Sequence, residues 1–275
     1  MLIRYPTFPT AEETAPKPAE PSDSKDGQSE DKDCTPGTLV LGHVSVVTDI
    51  ILSPDSRFII TADRDEHIRI SNYPLGFVIH TFCLGSTSFV TSLHILPSNP
   101  DVLVSGGGED VLRVWLWKDG KQLRTIDIGE VVRPKITVPP PNIKANKPAK
   151  KKRKLDTPED EPEEPPKVLA LTKIDSVGDF ILFCVLGATA LFHVHIKESV
   201  DVIEAPLAVT ALDLGAPVLD FVVDKEHPDR IWISLDTQDG PLLRSARLGS
   251  ATSSLLLAPA PSLTDVPEGM HLPLP

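Results

Sequence analysis

An all-β fold is what the sequence predicts, and three observations carry it. The apolar residues fall in short runs rich in valine, isoleucine and aromatics; no segment keeps a helical apolar stripe over three turns; and one stretch repeats at a fixed spacing. In the first half the candidate strands are 46–51, 58–61, 68–70, 89–95, 102–105 and 112–117. Ser53-Pro54-Asp55, Asn99-Pro100-Asp101 and Gly106-Gly107-Gly108 separate them with turn chemistry. In the second half 180–186, 190–196, 218–223 and 231–235 read the same way. Many short strands with no helix between them leave an antiparallel sandwich, a barrel or a propeller.

The repeat selects among these. LGHVSVVTDIILSPDSRFIITADRDEHIRIS, from Leu41, aligns with LGSTSFVTSLHILPSNPDVLVSGGGEDVLRVW, from Leu84, so that Gly42 meets Gly85, Thr61 meets Ser105, Asp65 meets Glu109 and Ser71 meets Trp115. A period of about 43 residues with a Gly-His start and a late Trp is that of a WD-type propeller blade. Such a blade buries a network of histidine, serine or threonine, turn aspartate and tryptophan, because a buried polar group needs its partner. The expected network is His43, Thr61 and Asp65 in the first repeat, with Ser71 in the tryptophan position. In the second it is Ser105, Glu109 and Trp115, with Ser86 in place of histidine.

Composition divides the 275 residues, of which 28 are proline. Segment 1–36 is acidic and proline-rich, 134–167 joins a basic run to an acidic one, and 249–275 drifts into Ala, Ser, Leu and Pro; all three are expected without fixed structure. That leaves two blades in 37–133 and about two divergent ones in 168–248, so the prediction is a partial propeller of about four blades. No run approaches the 18 or so apolar residues of a membrane span, and the first ten residues lack the order of a secretory signal. The expected setting is intracellular, with Cys34, Cys83 and Cys184 as reduced thiols.

The string LVLGHVSVVTDIILSPDSRFIITADRDEHIRIS, with FCLG and LVSGGGED after it, resembles the non-catalytic WD-repeat subunit of the eukaryotic tRNA guanine-N7 methyltransferase. The octet ADRDEHIR, residues 62–69, is its most specific part. The resemblance implies a seven-bladed ring, of which this chain would be an N-terminally truncated, fungal version. It also implies a protein without chemistry of its own, forming a heterodimer with an S-adenosylmethionine-dependent catalytic subunit. That pair modifies a guanine in the tRNA variable loop. Carried over by position, the partner-facing residues are Asp65, Glu66, His67 and Arg69, with His67 standing where the family tends to have lysine. Neither a catalytic residue nor a cofactor or metal of its own is expected.

Charge bears on the same reading. The net charge is −12, and both foldable stretches carry more acid than base, so these blades lack the cationic footprint that binds phosphate. The tRNA is expected to be held mainly by the partner, whose basic surface an acidic scaffold would meet more quickly. The exception is the run 144–154, whose core Lys150, Lys151, Lys152, Arg153 and Lys154 reads as a nuclear-import signal. An unrelated nuclear WD-repeat scaffold is the alternative. An enzyme reading of Gly106-Gly107-Gly108 fails because a strand, not a helix, follows. His193 and His195 make half a metal site with no third ligand in sight.

Overall fold

The computed structural model describes residues 2–5, 38–138, 169–196, 207–237, 240–249 and 254–257. A two-stranded ribbon of β1 (Leu2–Tyr5) and β2 (Thr38–Gly42) precedes four antiparallel sheets, each a meander of four consecutive strands. Blade I is β3 (Val47–Leu52), β4 (Phe58–Asp63), β5 (Ile68–Asn72) and β6 (Ile79–Cys83); blade II is β7 (Val90–Ile95), β8 (Val102–Gly107), β9 (Val111–Leu116) and β10 (Lys121–Asp127). Blade III is β11 (Leu171–Val177), β12 (Phe180–Val185), β13 (Ala190–His195) and β14 (Val209–Asp213); blade IV is β15 (Val218–Val223), β16 (Arg230–Leu235), β17 (Leu243–Gly249) and β18 (Ser254–Leu257). The blades pack in chain order through their first strands, β3 on β7, β7 on β11 and β11 on β15. This is the arrangement of a partial all-β propeller.

The alternation of side chains along a strand explains why the blades stack. In β8, Val102 and Val104 enter the apolar core shared with blade III, while Leu103 points the other way into the core shared with blade I. In β12, Ile181, Phe183 and Val185 face blade II, and Leu182 and Cys184 face blade IV. Central strands apolar on both faces can be satisfied only between two neighbours, so each blade completes the next.

A polar seam runs down the first strands. Each carries a bulge after its first residue, at 47/49, 90/92, 171/173 and 218/220. The bulged Thr48 and Thr91 hydroxyls donate to the carbonyls of Val90 and Leu171 in the next blade. One residue on, Asp49 Oδ2 accepts from Leu93 N at 2.6 Å, Ser92 Oγ accepts from Ile174 N at 3.0 Å, and Lys173 Nζ donates to Phe221 O at 2.7 Å. Bulges that re-aim one side chain thus lock neighbouring sheets at a repeated position.

Several expected boundaries move. The strands missing from the sequence reading include the outer ones, β6, β10, β14 and β18, together with β11 and β17. Outer strands lie at a sheet edge with one face toward solvent; β10, KQLRTID, holds a single buried residue and gives little pattern to read. Residues 134–138, expected in a linker, instead cross onto blade III, where Ile136 bridges Ala188, Thr137 N donates to Gly187 O at 2.9 Å and Lys135 meets Asp213. Leu2–Tyr5 and Ser254–Leu257, expected without structure, are strands. Gly106 and Gly107 close β8, and β9 follows as a strand. The rest of 1–36, 139–168 and 258–275, with Cys34 and Lys150 through Lys154, lies outside the described residues.

Candidate functional site

The turn between β4 and β5 brings the sequence-selected residues of blade I to one rim. Thr61 and Asp63, two apart on β4, share a face and both point at His43. His43 Nδ1 lies 3.3 Å from Asp63 Oδ2, and Nε2 lies 2.8 Å from the Thr61 hydroxyl, which is also 3.3 Å from Arg69 O. Burial first, then the Arg69 charge, hold the His43 pKa below 6.5 against the pull of Asp63, which favours the neutral imidazole. The other Asp63 oxygen, Oδ1, accepts from the backbone N–H of Asp65 at 2.9 Å and of His67 at 3.1 Å.

Asp63, not Asp65, is therefore the network aspartate, which corrects the sequence assignment. A repeat alignment equated Asp65 with Glu109 because both are acids, whereas strand alternation from Thr61 selects Asp63. The Asp65 side chain stands 58% exposed in the turn beside Arg64, at 3.8 Å. Glu66 sits at φ 75°, a left-handed conformation that a non-glycine residue holds at a cost of about 1 kcal/mol or more. The Asp63 clasp is what imposes it. His67, 52% exposed, places Nδ1 3.4 Å from Asp63 Oδ1. On the other side of the turn Arg64 N donates to Val46 O at 3.0 Å, tying it to the loop that follows β2.

Arg69 sits elsewhere. It lies opposite Thr61 on β5 and reaches under the loop, where Nη1 donates to Gly42 O at 3.0 Å. Nε and Nη2 are buried without a hydrogen-bond partner, and burial lowers its pKa despite Asp63 nearby. Arg69 supports the loop that carries His43 and does not share the exposed tip formed by Asp65 and Glu66.

Blade II resolves the same positions differently. Glu109 leaves the network position and grips Arg113, with Nε to Oε2 at 2.8 Å and Nη2 to Oε1 at 2.9 Å, and accepts from Thr87 N at 2.6 Å. Burial opposes its ionisation, but these bonds outweigh that and hold its pKa below 4.5. Trp115 Nε1 donates to Ser105 Oγ at 2.9 Å, whereas Ser71, in the matching position of blade I, is buried with its hydroxyl unpaired.

Elsewhere, no group of three or more metal-ligating side chains occurs among the described residues. His193 is buried with neither ring nitrogen hydrogen-bonded, and the His195 ring lies tilted against Phe180, centroids 4.5 Å apart. Burial pushes the Cys83 thiol up to about 12 and Cys184 to about 11, so neither supplies a nucleophilic thiolate near neutral pH.

A family model described as the tRNA methyltransferase TRM82 WD40 domain matches residues 12–257. Among curated proteins, the chain is 45% identical over 101 residues to a tRNA (guanine-N(7)-)-methyltransferase non-catalytic subunit wdr4 of Dictyostelium discoideum, covering 37% of this chain and 22% of that protein. It is 47% identical over 109 residues to the TRM82 non-catalytic subunit of Meyerozyma guilliermondii, covering 39% and 25%. Against the human WDR4 non-catalytic subunit it is 47% identical over 87 residues, covering 32% and 21%. The matched stretches span about a quarter or less of each relative's length.

Proposed function

The chain belongs to the tRNA methyltransferase TRM82 WD40 domain family, and from that premise we propose that it is a non-catalytic scaffold that docks and stabilises the catalytic subunit of a tRNA guanine-N7 methyltransferase. The relatives that carry this name support the reading. The observation that carries the docking role is the blade I turn. Asp63 fixes its backbone from below, while the carboxylates of Asp65 and Glu66 are left facing outward. A preformed turn loses little entropy when a partner binds, and its acids suit a basic surface.

In this reading S-adenosylmethionine binds the partner, the two chains form a heterodimer, and the partner grips the tRNA, since a chain of net charge −12 repels phosphate. Lys150 through Lys154 direct the chain to the nucleus; nuclear retention of a variant with alanine at Lys151, Lys152, Arg153 and Lys154 would contradict that part.

The test is copurification. The tagged chain is expected to bring down a tRNA guanine-N7 methyltransferase, and cells lacking the gene are expected to lose N7-methylguanosine from tRNA. Unchanged N7-methylguanosine in those cells would sink the proposal; capture of other nuclear proteins alone would favour an unrelated scaffold. Glu66→Lys probes the interface better than Arg69→Glu, because a carboxylate in place of Arg69 would sit under the Gly42 loop near Asp63 and disturb the fold.

A further inference from the structure

The rim of blade I carries apolar side chains that neither the fold nor the charged turn uses. Val44, in the loop after β2, is 108% exposed, and Val46, two residues on, is 48% exposed. Leu84 is 63% exposed; it follows Cys83, which pairs with Ile68, so the register carries Leu84 up beside His67. The carbonyl of Val46 bonds the amide of Arg64. Strand ends and loop therefore bring Val44, Val46 and Leu84 around Arg64, Asp65, Glu66 and His67 at one end of the blade.

The patch is also held in place. His43, directly before Val44, is fixed by Thr61 and Asp63, and Gly42 by Arg69. An ordered apolar cluster edged by charge is the anatomy of a protein-binding surface rather than of plain solvated loop.

We propose that Val44, Val46 and Leu84 form the apolar anchor of the contact with the catalytic subunit, the acidic turn serving as its charged edge; this rests on the docking role proposed above. The occupant is a protein face that presents an apolar depression bordered by lysine or arginine. Charge selects it: Asp65 and Glu66 outnumber Arg64 at this rim, so its surplus is negative and disfavours a nucleic-acid backbone, and three aliphatic side chains offer phosphate nothing. A second copy of this chain is disfavoured, because a two-fold contact centred here would set the surplus acid of each turn against its own image.

The experiment measures binding of the full chain to its catalytic subunit at two salt concentrations. Val44→Ser and Leu84→Ser are expected each to weaken binding about tenfold, the scale of one buried aliphatic side chain, with little change between salts. Glu66→Lys is expected to weaken it in a salt-dependent way. Phe77→Ser, which removes a side chain 75% exposed at the opposite end of blade I, is expected to bind as wild type. Wild-type affinity in Val44→Ser and Leu84→Ser, with Glu66→Lys impaired, would overturn the apolar anchor and leave the docking role standing. Failure of the wild-type chain to bind would overturn both. Dimerisation of the chain alone, abolished by Val44→Ser, would assign the patch to self-association instead.

Discussion

Blades I and II share one backbone plan, yet they spend the charges of the same turn in opposite ways. Both turns make the same anchoring bond, Arg64 N to Val46 O in blade I and Gly108 N to Phe89 O in blade II. At the residue before, blade I has Asp63 and blade II has Gly107. Asp63 reaches across to His43 and down to two turn amides, so the turn is held from inside while Asp65, beside Arg64 at 3.8 Å, and Glu66 stay at the surface. Gly107 lets the loop collapse onto the strand, and Glu109 then folds back on Arg113 and Thr87. Blade II ties its acid into the blade; blade I leaves its acids at the surface. The comparison teaches that acids remain on display where the supporting network uses a different residue from the ones at the tip of the turn.

The largest expected effect comes from exchanging that position. A Cβ on Gly107 would lie 1.9 Å from the carbonyl oxygen of Phe89, which is backbone and cannot swing aside. Gly107→Asp is therefore expected to destabilise by about 3 kcal/mol or more in thermal denaturation, the range of severe overpacking. Asp63→Gly strips acceptors from His43 and two turn amides and is expected to cost about 2 kcal/mol. It should also weaken partner binding without touching Asp65 or Glu66. A Gly107→Asp variant as stable as wild type would break the claim that the two blades need opposite residues here.

A smaller effect distinguishes the seams of the two blades. Asp49 and Ser92 occupy equivalent positions and accept from the next blade's amide. Burial pushes the Asp49 pKa above its ordinary 3.8, although the Leu93 and Ile50 amides pull it down. A raised pKa in the folded state means that folding binds a proton, so the Asp49 contribution is full below 3.8 and is lost as pH rises through the folded value. Asp49→Ser copies the blade II seam and cannot titrate. The stability of wild type relative to Asp49→Ser is expected to fall as pH climbs from 3.5 toward neutrality, because burial penalises the ionised carboxylate. A pH-independent difference would show that the carboxylate is not what differs between the seams.

The propeller was legible where both sides of a strand are buried. β4, β8, β12 and β16 are largely buried along their length, and the spacing of about 43 residues tied the first two into a repeat, while β12 and β16 were read from their strand-like runs alone. The outer strands were not, because one solvated face leaves them a mixed polar pattern. At the rim, His43, Thr61, Ser105 and Trp115 could be named from the repeat, since each sits at a fixed distance from a turn. Asp63 could not, because the alignment matched acid to acid and carried Asp65 and Glu109 into a network that neither joins. The exposure of Val44 and Leu84 was invisible for a plainer reason: sequence gives an apolar residue no sign of whether anything covers it.

The smallest effect is expected at Ser71, and it is diagnostic because the same change to alanine should cost stability in blade II and cost none in blade I. Ser71 in blade I and Ser105 in blade II are both buried. The Ser105 hydroxyl accepts from Trp115 Nε1 at 2.9 Å, so Ser105→Ala leaves a buried indole N–H unpaired and is expected to cost about 1 to 2 kcal/mol. The Ser71 hydroxyl has no partner, so it was desolvated without compensation. Ser71→Ala removes that group with almost no change in volume and is expected to leave stability unchanged or raise it by about 0.5 kcal/mol. Denaturant midpoints at constant slope measure both. If Ser71→Ala were instead destabilising by as much as Ser105→Ala, the Ser71 hydroxyl would have a partner in solution, and blade I would not be the blade with the open tryptophan position.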